Sequence, residues 1–369
     1  MLRFLTAGES HGPTLVAIVE GLPAGLPVSE EMINRDLRRR QAGYGRGARQ
    51  LIEQDQAHIL SGVVAGLTLG SPIALTIANR DWLNWQNKTL PTWSRPRPGH
   101  ADLAGSRKYG LSDLRLVAER ASARETATRV AVGAIARALV KEAGITVGSY
   151  VEEIGGVCAQ LDRLTAQECI ELAEQSQVRC PEPVASEAMC RRIDDASQAG
   201  ESLGGVLVVL ALGLPIGLGS YVHWDRRLDG RLAQAVMSVP AIKGVEIGPA
   251  FANAALPGTQ VQDALYPSSG GPLRQTNRAG GVEGGMSNGE PLLIRAAMKP
   301  IPTTVSPQAT VDLVSGEAAL TQYQRSDTCA VPAAAVVAEA MVAWVLAEAL
   351  LERYGSDTLA QVLRGIKDD

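Results

Sequence analysis

The chain has 369 residues, a formal net charge of −4 at pH 7, and 46% hydrophobic but only 4% aromatic residues. This length is sufficient for a large buried core, whereas the acidic balance and the scarcity of aromatic rings argue against a nucleic-acid-binding protein. The five cysteines are spread out and include no CxxC pair, so the sequence predicts neither a disulfide framework nor a metal site, and we expect a cytoplasmic protein.

The first part of the chain is predicted to combine short strands with one helix. Apolar, β-rich runs predict strands at 14–19, 59–64 and 73–77. Ser29, followed by Glu30 and Glu31, is typical of a capped helix start, and the helix is predicted to continue through 34–40.

This helix leads into a segment that is dense in arginine and glycine. Five arginines fall within twelve residues: Arg38, Arg39, Arg40, Arg46 and Arg49. Guanidinium groups bind phosphate or carboxylate with paired hydrogen bonds, and glycines allow the backbone to approach a ligand closely. The segment therefore indicates an anion-binding loop. A solvated charge run and a nucleic-acid tether are the alternatives, because basic patches alone are weak motifs.

Residues 120–143 are predicted to form one long helix, with apolar residues on one broad side and small residues that permit close packing. The opening of this helix carries Arg120, Ser122 and Arg124. Free backbone N–H groups and the helix dipole favour an anion at such a position. Helix capping with surface ion pairs is the alternative interpretation.

A second series of elements follows in the sequence. Strand-like stretches lie at 146–160, 204–212 and 244–247, and surface helices lie within 164–199, broken at Pro181 and Pro183. The Gly-Leu-Pro turn at 213–218 repeats the turn at 21–26, and each is followed by a helix and a β-like stretch. We therefore predict two structurally related halves, about 1–145 and 200–355, within one domain spanning 1–369. Coincidence of turn chemistry is the alternative.

Two segments near the carboxy terminus differ in character. Residues 265–290 are predicted to be irregular, and their glycines suit either a hinge or close approach to a ligand. The apolar stretch 330–351 contains Pro332, Glu339 and Glu348. Since carboxylates near a bilayer centre are unfavourable, we predict a buried helix there and no membrane span.

The histidines separate into two pairs. His11 and His100 stand among glycines and polar residues, where a histidine can exchange protons near neutral pH. His58 and His223 lie at the edges of strand-like or turn segments, and we predict structural roles for them.

Two further clusters combine charge with hydroxyl groups. The segment 295–304 places Lys299 on a turn bracketed by prolines, and Asp327 precedes the last apolar helix. The sequence contains no GxxxxGK[ST] or HExxH motif. We therefore expect a phosphorylated, carboxylated substrate beside a phosphate-bearing cofactor, with proton transfer as the protein's share of the chemistry.

Six motifs resemble those of the chorismate synthase family, in the same order, between residues 3 and about 350. They lie at 8–12, 39–47, 97–102, 120–126, 243–248 and 299–300. The resemblance implies conversion of 5-enolpyruvylshikimate 3-phosphate into chorismate and phosphate by anti-1,4-elimination, the last common step of the shikimate pathway to the aromatic amino acids. It also implies reduced FMN as cofactor without net redox change, with NADPH as a candidate reductant.

The resemblance assigns roles to individual residues. His100 would stabilise and protonate the reduced flavin, His11 would assist the departing phosphate, and Asp327 would help flavin N5 to accept the ring proton. The implied flavin contacts are Arg120, Ala121, Ser122, Pro240, Ala241, Gly284, Lys299, Pro300, Ile301, Pro302, Thr303 and Arg325. The implied substrate or NADP contacts are Ser10, Arg40, Arg46 and Arg124.

The implied fold is α+β: a single large domain, a β-α-β sandwich with central helices between antiparallel-rich sheets, assembled as a homotetramer without nucleic acid or membrane. Two positions depart from many relatives. Ser326 replaces a histidine, and Pro240 replaces Asn or Gln, which removes a side-chain amide and a backbone donor from the flavin contact. An RNA- or polyanion-binding protein and a flavin- or nucleotide-binding reductase are the rival classes.

Overall fold

A computed structural model describes residues 1–47, 52–88, 91–324 and 326–369, so the predictions for Arg49 and Arg325 lie outside the described residues. The strands of the described chain are β1 (Arg3–Ala7), β2 (Thr14–Glu20), β3 (Ala57–Ile59), β4 (Val63–Val64), β5 (Leu67–Thr68), β6 (Ile73–Ala78), β7 (Thr146–Ile154), β8 (Val157–Cys158), β9 (Gly205–Leu212), β10 (Ile242–Ile247), β11 (Leu265–Tyr266), β12 (Leu273–Arg274), β13 (Val282–Glu283), β14 (Met286–Ser287), β15 (Leu292–Met298), β16 (Ala309–Val311) and β17 (Ala318–Leu320).

The helices of the described chain are α1 (Glu30–Gln41), α2 (Asp102–Tyr109), α3 (Leu114–Ala121), α4 (Thr126–Glu142), α5 (Ala166–Ala173), α6 (Pro183–Gln198), α7 (Leu228–Met237), α8 (Ala250–Asn253), α9 (Gly258–Val261), α10 (Val331–Tyr354) and α11 (Leu359–Lys367). Short 3₁₀ turns lie at Arg80–Asn84, Ala123–Glu125 and Trp224–Arg226.

The first sheet has the strand order β1-β2-β6-β3, and every neighbouring pair in it is antiparallel. Successive side chains point to opposite faces of a strand, so Leu15 and Val19 of β2 are buried whereas Ile18 is exposed. The predicted strands at 14–19 and 73–77 are confirmed.

Glycine turns shorten two other predicted strands. The strand predicted at 59–64 is interrupted at Gly62, which has a φ of +84°. The strand predicted at 146–160 ends before Gly155 and Gly156, whose φ angles are +56° and +88°. Both predictions are wrong at these turns, because a positive φ breaks the extended backbone.

The second sheet has the order β10-β15-β9-β7-β8 and is also antiparallel throughout. In chain order the strands of the first sheet are β1, β2, β3 and β6, and those of the second sheet without β8 are β7, β9, β10 and β15. In both sheets the first of these strands pairs with the second, the second with the fourth, and the fourth with the third. This correspondence favours two related halves, which stay a prediction.

Helices α1 and α4 pack against the first sheet, and α7 and α10 pack against the second. The two helix pairs meet where α4 crosses α10, so closely that a Cβ on Gly133 would lie 2.7 Å from Ala340 Cα. Helix α10 is long and apolar enough to cross a membrane, but 94% of its most apolar window is buried inside the protein. The predicted buried helix is therefore confirmed.

A buried charge network crosses these helices at Glu339 of α10. Arg39 of α1 donates two hydrogen bonds to the Glu339 carboxylate, at 2.8 and 2.9 Å, and Arg137 of α4 also pairs with it. Burial raises the pKa of Glu339, but the arginines, led by Arg39, lower it further, to about 2. Asp36 and Glu174 supply further carboxylates to Arg39. The network fixes α1, α4 and α10 relative to one another.

The helix predicted at 120–143 is wrong in one place. The chain leaves the helical conformation at Ser122 (φ −64°, ψ 141°), passes through the 3₁₀ turn and re-enters a helix at Thr126. Ser122 Oγ accepts a hydrogen bond from Arg124 N at 3.3 Å. Serine hydroxyls compete with helical backbone bonding in this way. The predicted start of one helix is therefore the end of α3 and the beginning of α4.

The stretch 265–290, predicted to be irregular, contains the short hairpins β11–β12 and β13–β14. The backbone N–H groups of Arg278 and Ala279, between the two hairpins, donate to the carboxylate of Asp263, which precedes β11, at 2.8 and 2.9 Å. The prediction is wrong for these short strands, which amino-acid composition alone did not indicate.

Candidate active site

The arginine-rich loop after α1, residues 43–47, lies against α6 and the segment that leads into α10. The Tyr44 hydroxyl donates to the Asp194 carboxylate, whose oxygens lie at 2.9 and 3.0 Å. The backbone N–H of Thr328 donates to Gly45 O at 2.8 Å. These contacts place the loop at the end of the helical layer where α10 begins.

Three arginines that were predicted to bind phosphate-bearing ligands, Arg40, Arg46 and Arg124, meet beside this loop. Asp55 joins two of them, because its carboxylate lies 2.6 Å from Arg124 Nη1 and 3.5 Å from Arg40 Nη1. Arg46 Nη1 forms an ion pair with Asp327 Oδ2 at 2.7 Å. Arg40 and Arg124 are buried. We call these five residues the arginine cluster.

The arginine cluster contains buried hydrogen-bond donors that the described residues do not satisfy. Burial lowers the pKa of Arg40 to about 10; Asp55 opposes this shift, and the charges of Arg124 and Arg46 add to it. In the part of the chain that the structure describes, Arg46 Nε and Arg124 Nη2 are buried without a hydrogen-bond partner, although Glu53 lies 3.7 Å from the latter. Buried donors are unfavourable until an acceptor reaches them. A phosphate or carboxylate ligand would supply such acceptors.

Two helix N-termini adjoin the arginine cluster. Arg40 donates to Thr126 Oγ1 and to Ala123 O, both at 3.0 Å, and α4 begins at Thr126. Helix α10 begins shortly after Asp327. Helix N-termini carry partial positive charge and free backbone N–H groups, so they add to the attraction for an anion.

Ser10 and His11 lie in the turn between β1 and β2, beside the break at Ser122. Ser10 Oγ donates to Ser122 Oγ at 3.1 Å. The Glu119 carboxylate contacts His11 twice, at the backbone N–H (2.7 Å) and at ring Nδ1 (2.8 Å). One carboxylate thus fixes both the backbone and the imidazole of His11.

The buried side chain of Asn79 connects the His11 turn to the arginine cluster. Its Nδ2 donates to Glu9 O at 3.1 Å and to Gly12 O at 2.8 Å, on either side of His11. Its Oδ1 accepts from Arg124 Nε at 2.8 Å. The amide therefore sets the spacing between a histidine and an arginine of the candidate site.

The second predicted histidine, His100, has its own carboxylate. His100 Nδ1 lies 2.5 Å from Asp102 Oδ1, and Arg97 Nε donates to the other oxygen at 2.8 Å. Burial opposes ionisation of Asp102, but the hydrogen bonds from His100 and Arg97 hold its pKa well below the usual range. Arg97 Nη1 also donates to Thr303 Oγ1 at 3.3 Å, so His100 lies beside the predicted flavin-contact turn.

That turn begins at Lys299, whose backbone N–H donates to Ala241 O at 2.9 Å. Gly99, next to His100, has a φ of +74°, a conformation that favours glycine, and a Cβ at this position would be in van der Waals contact with Lys299 Nζ at 3.4 Å. Burial lowers the pKa of the Lys299 ammonium, and the charge of Lys243 adds to the shift. We call His100, Asp102, Ala241, Lys299 and Thr303 the His100 cluster.

Two consecutive residues connect the clusters. Ser202 Oγ donates to Ile301 O at 2.6 Å, and Leu203 N donates to Thr328 O at 2.8 Å. Ile301 lies in the turn of the His100 cluster, and Thr328 follows Asp327 of the arginine cluster. The two clusters therefore lie on either side of one short segment.

Two other predicted flavin contacts lie apart from these clusters. Arg120 is exposed and donates to Thr6 O at 2.9 Å and to Gly8 O at 3.2 Å. Gly284 forms the exposed turn between β13 and β14, and this turn is held at α7 through the bond from Leu228 N to the neighbouring Gly285 O, at 2.8 Å. The remaining predicted contacts flank residues already described: Ala121, Pro240, Pro300 and Pro302.

Sequence reasoning missed four polar residues that organise the site: Asp55, Asn79, Asp102 and Glu119. Asp102 and Glu119 stand within or next to the quoted motifs, so a search for acidic neighbours of these motifs could have found them. Asp55 and Asn79 carry no local signal, because their arginine partner Arg124 lies 69 and 45 residues away in the sequence.

Comparison with known proteins gives consistent findings. A family model described as chorismate synthase matches residues 2–351. The chorismate synthase of Moorella thermoacetica is 59% identical and that of Geobacter metallireducens 53%, over 97% and 99% of this chain and 96% and 97% of their own lengths. A crystal structure of chorismate synthase covers 100% of this chain and 96% of its own, with 47% identity and a TM-score of 0.82. These findings confirm the resemblance and the mixed α+β fold with antiparallel sheets, and the chain belongs to the chorismate synthase family.

Proposed function

We propose that the arginine cluster and the His100 cluster are the two sides of the site where this chorismate synthase family member converts 5-enolpyruvylshikimate 3-phosphate into chorismate and phosphate. The protein is a phosphate-eliminating lyase of the shikimate pathway. This placement rests on two nitrogens of the arginine cluster, Arg46 Nε and Arg124 Nη2, which are buried and have no hydrogen-bond partner among the described residues. A phosphorylated, carboxylated substrate would satisfy them.

In this proposal the arginine cluster holds the substrate's anionic groups. Arg46 and Arg124 direct donors to them, while Arg40 contributes buried positive charge. Ser10 borders the same space through its bond to Ser122. The ion pair with Asp327 restricts Arg46 before the substrate arrives, so less side-chain entropy is lost on binding.

The family uses reduced FMN, and the residues of the His100 cluster fit a phosphate-bearing cofactor. Lys299 supplies a cation, Thr303 a hydroxyl group, and Gly99 a backbone without a side chain beside Lys299. When bound, reduced flavin supplies an electron-rich ring that supports loss of phosphate without net redox change. The further flavin contacts that we propose are Arg120, Ala121, Ser122, Pro240, Ala241, Gly284, Pro300, Ile301, Pro302 and Arg325.

Each proposed proton-handling residue has a charged neighbour. Glu119 orients His11, whose protonated ring would donate to the departing phosphate oxygen. Asp102 stays ionised and orients His100, so the ring can hold a proton at the other end of the site. The Asp327 carboxylate is the negative charge that would favour removal of the ring proton.

The finer features of the assembly belong to the same proposal. The helix–sheet contacts favour a β-α-β sandwich in one domain, 1–369. Large exposed side chains such as Tyr221, Trp224 and Phe251 suit surfaces covered in a homotetramer. We also propose a cytoplasmic location, where NADPH is available as a reductant.

Anaerobic turnover tests the proposal. We expect chorismate when the purified protein receives substrate and chemically reduced FMN, and none when the flavin is left out. Substrate consumption without chorismate under these conditions would contradict the function. A parallel reaction with NADPH and oxidised FMN tests NADPH as reductant: chorismate there means that the protein reduces its own flavin, and its absence means that an outside source is needed.

A further inference from the structure

One aromatic side chain lies against His11 and has no part in the function proposed above. The ring centroids of His11 and Trp85 are 4.2 Å apart, and the ring planes are inclined by 39°. Trp85 directly follows the 3₁₀ turn Arg80–Asn84. A stacked pair at this distance leaves the imidazole little freedom to rotate on the side covered by the indole.

The indole is itself held in place. Trp85 Nε1 donates to Asp81 Oδ2 at 3.0 Å, and the other oxygen of Asp81 accepts from Asn84 Nδ2 at 2.9 Å. Asp81 is only 1% exposed. A buried carboxylate at the indole N–H fixes the ring at its polar edge, so its face stays directed at His11.

The turn that carries Trp85 is attached to the candidate site at its start. Arg80 N donates to Glu53 Oε2 at 3.0 Å, and Glu53 lies next to Arg124. The preceding residue is Asn79, whose amide spans the His11 turn and Arg124. The segment 79–85 therefore binds the backbone on either side of His11 through Asn79 and contacts the ring of His11 through Trp85.

We infer that Trp85 is a positioning residue for His11. Glu119 binds the ring at Nδ1 and Trp85 covers its face, so two contacts of different direction fix the imidazole. The inference depends on the proposed role of His11, because positioning affects turnover only if that ring takes part.

Replacing Trp85 tests the inference by kinetics. We expect Trp85→Leu to lower kcat about 10–100-fold, since small misplacements of a reacting group have effects of that size. KM should change less than about threefold, because His11 acts on the leaving group and substrate binding rests mainly on the arginines. Trp85→Phe keeps an aromatic face and should retain most of the wild-type kcat. Trp82→Leu, on the same turn, is the matched control and should behave as wild type.

A double variant separates positioning from general packing. In a His11→Ala background, Trp85→Leu should slow turnover no further, because there is no imidazole left to position. Multiplicative losses in the double variant would overturn the inference, as would a wild-type kcat for Trp85→Leu or an equal loss for Trp82→Leu. An active His11→Ala would overturn the role of His11 itself, whereas an inactive His11→Ala beside an active Trp85→Leu overturns only the inference.

A spectroscopic readout does not depend on activity. The chain has four histidines, so NMR of protein labelled with ¹³C in the histidine rings gives few signals. Ring current from the indole should displace the His11 signal, which is assigned by its loss in His11→Ala. Trp85→Leu should move that signal and Trp82→Leu should not; an unmoved signal in Trp85→Leu contradicts the stacked geometry. If Trp85→Leu does not fold, the smaller displacement expected in Trp85→Phe decides the question.

Discussion

Arg39 and Arg40 are neighbours on α1, yet they enter opposite environments. Arg39 forms paired hydrogen bonds with Glu339 and Glu174, and although burial opposes it, these carboxylates raise its pKa. Arg40 reaches Asp55 only at 3.5 Å, and burial with two neighbouring arginines lowers its pKa to about 10. The carboxylates around Arg39 outweigh the effect of burial on its pKa, whereas Asp55 does not outweigh it for Arg40.

The difference separates a structural arginine from a ligand-binding one. In the Glu339 network, Arg179 Nε is also buried without a hydrogen-bond partner among the described residues, but Arg179 Nη2 contacts Ser149 O and Glu174 at 2.7 Å each. In the arginine cluster, the two unsatisfied nitrogens adjoin helix N-termini and a histidine turn. Carboxylates lie near the arginines of both regions, so the position of the unsatisfied nitrogens, and not the density of arginines, indicates which side chains await an anion.

The largest expected effects lie in the site and should leave stability intact. His11→Ala and His100→Ala should each slow turnover about 10²–10⁴-fold, the usual range for loss of a positioned acid or base. Anaerobic kinetics and thermal unfolding of each variant provide the measurement. His58→Ala is the control, since His58 is exposed and lies 3.8 Å from Glu30 on the surface. An equal loss of turnover in all three variants would contradict the special role of His11 and His100.

Arg39→Ala should act on the fold instead. It leaves Glu339 buried without its two-bond partner, and loss of one member of a buried pair destabilises by about 3–5 kcal/mol. Urea unfolding measures the loss, and KM of the folded protein should stay near the wild-type value. Arg40→Ala, one residue along, should show the reverse pattern. If Arg39→Ala raises KM and leaves stability unchanged, the assignment of the two regions is wrong.

Asp327→Asn tests whether Asp327 acts in the reaction or stabilises the fold. Its Oδ1 accepts the Gly47 backbone N–H at 2.7 Å, a bond that asparagine can keep while the charge beside Arg46 is lost. We expect turnover to fall about 10²-fold, or about 2.7 kcal/mol in the transition state, with flavin affinity within a few-fold of wild type. A joint loss of thermal stability and flavin affinity, with a normal rate when fully ligated, would instead group Asp327 with Arg39.

Arg46→Ala should have the smallest of these effects and the most specific one. Loss of one charged partner of a phosphate weakens binding by about 1.5–3 kcal/mol, so the substrate Kd should rise at least about tenfold. Equilibrium binding measures this. Arg38→Ala is the matched control, because Arg38 is exposed and pairs with Glu31 on the same helix. An unchanged Kd with a lower melting temperature would return the loop to a structural role.

Helices and strands were predicted from local patterns in the sequence. The Ser29 cap and the alternating strand at 14–19 gave correct helix and strand starts, since capping and alternation depend on near neighbours. The break in the helix at Ser122 was not predicted, because the apolar pattern of 120–143 continues across it. What ends the helix there is a serine hydroxyl and the burial of Arg124 against Asp55, a contact 69 residues away in sequence.

The candidate site was predictable as a set of residue types but not as a set of pairs. The arginine density identified the loop, yet nothing local distinguishes Arg39 from Arg40. Their separation depends on Glu339, 300 residues further along the chain. His11 and His100 were predictable from their glycine-rich surroundings, whereas Trp85, which lies against His11, becomes recognisable only once the chain is folded.

The contact of Gly133 with Ala340 has a consequence for the dimensions of the site. Neither residue has a side-chain torsion, so the separation of α4 and α10 at this crossing is set by covalent geometry and cannot be adjusted by a change of rotamer. Both helices begin at the arginine cluster. The distance between Thr126 and Asp327 therefore depends on a contact between backbones, which varies little. Changes of side-chain rotamer elsewhere in the core leave this distance unchanged.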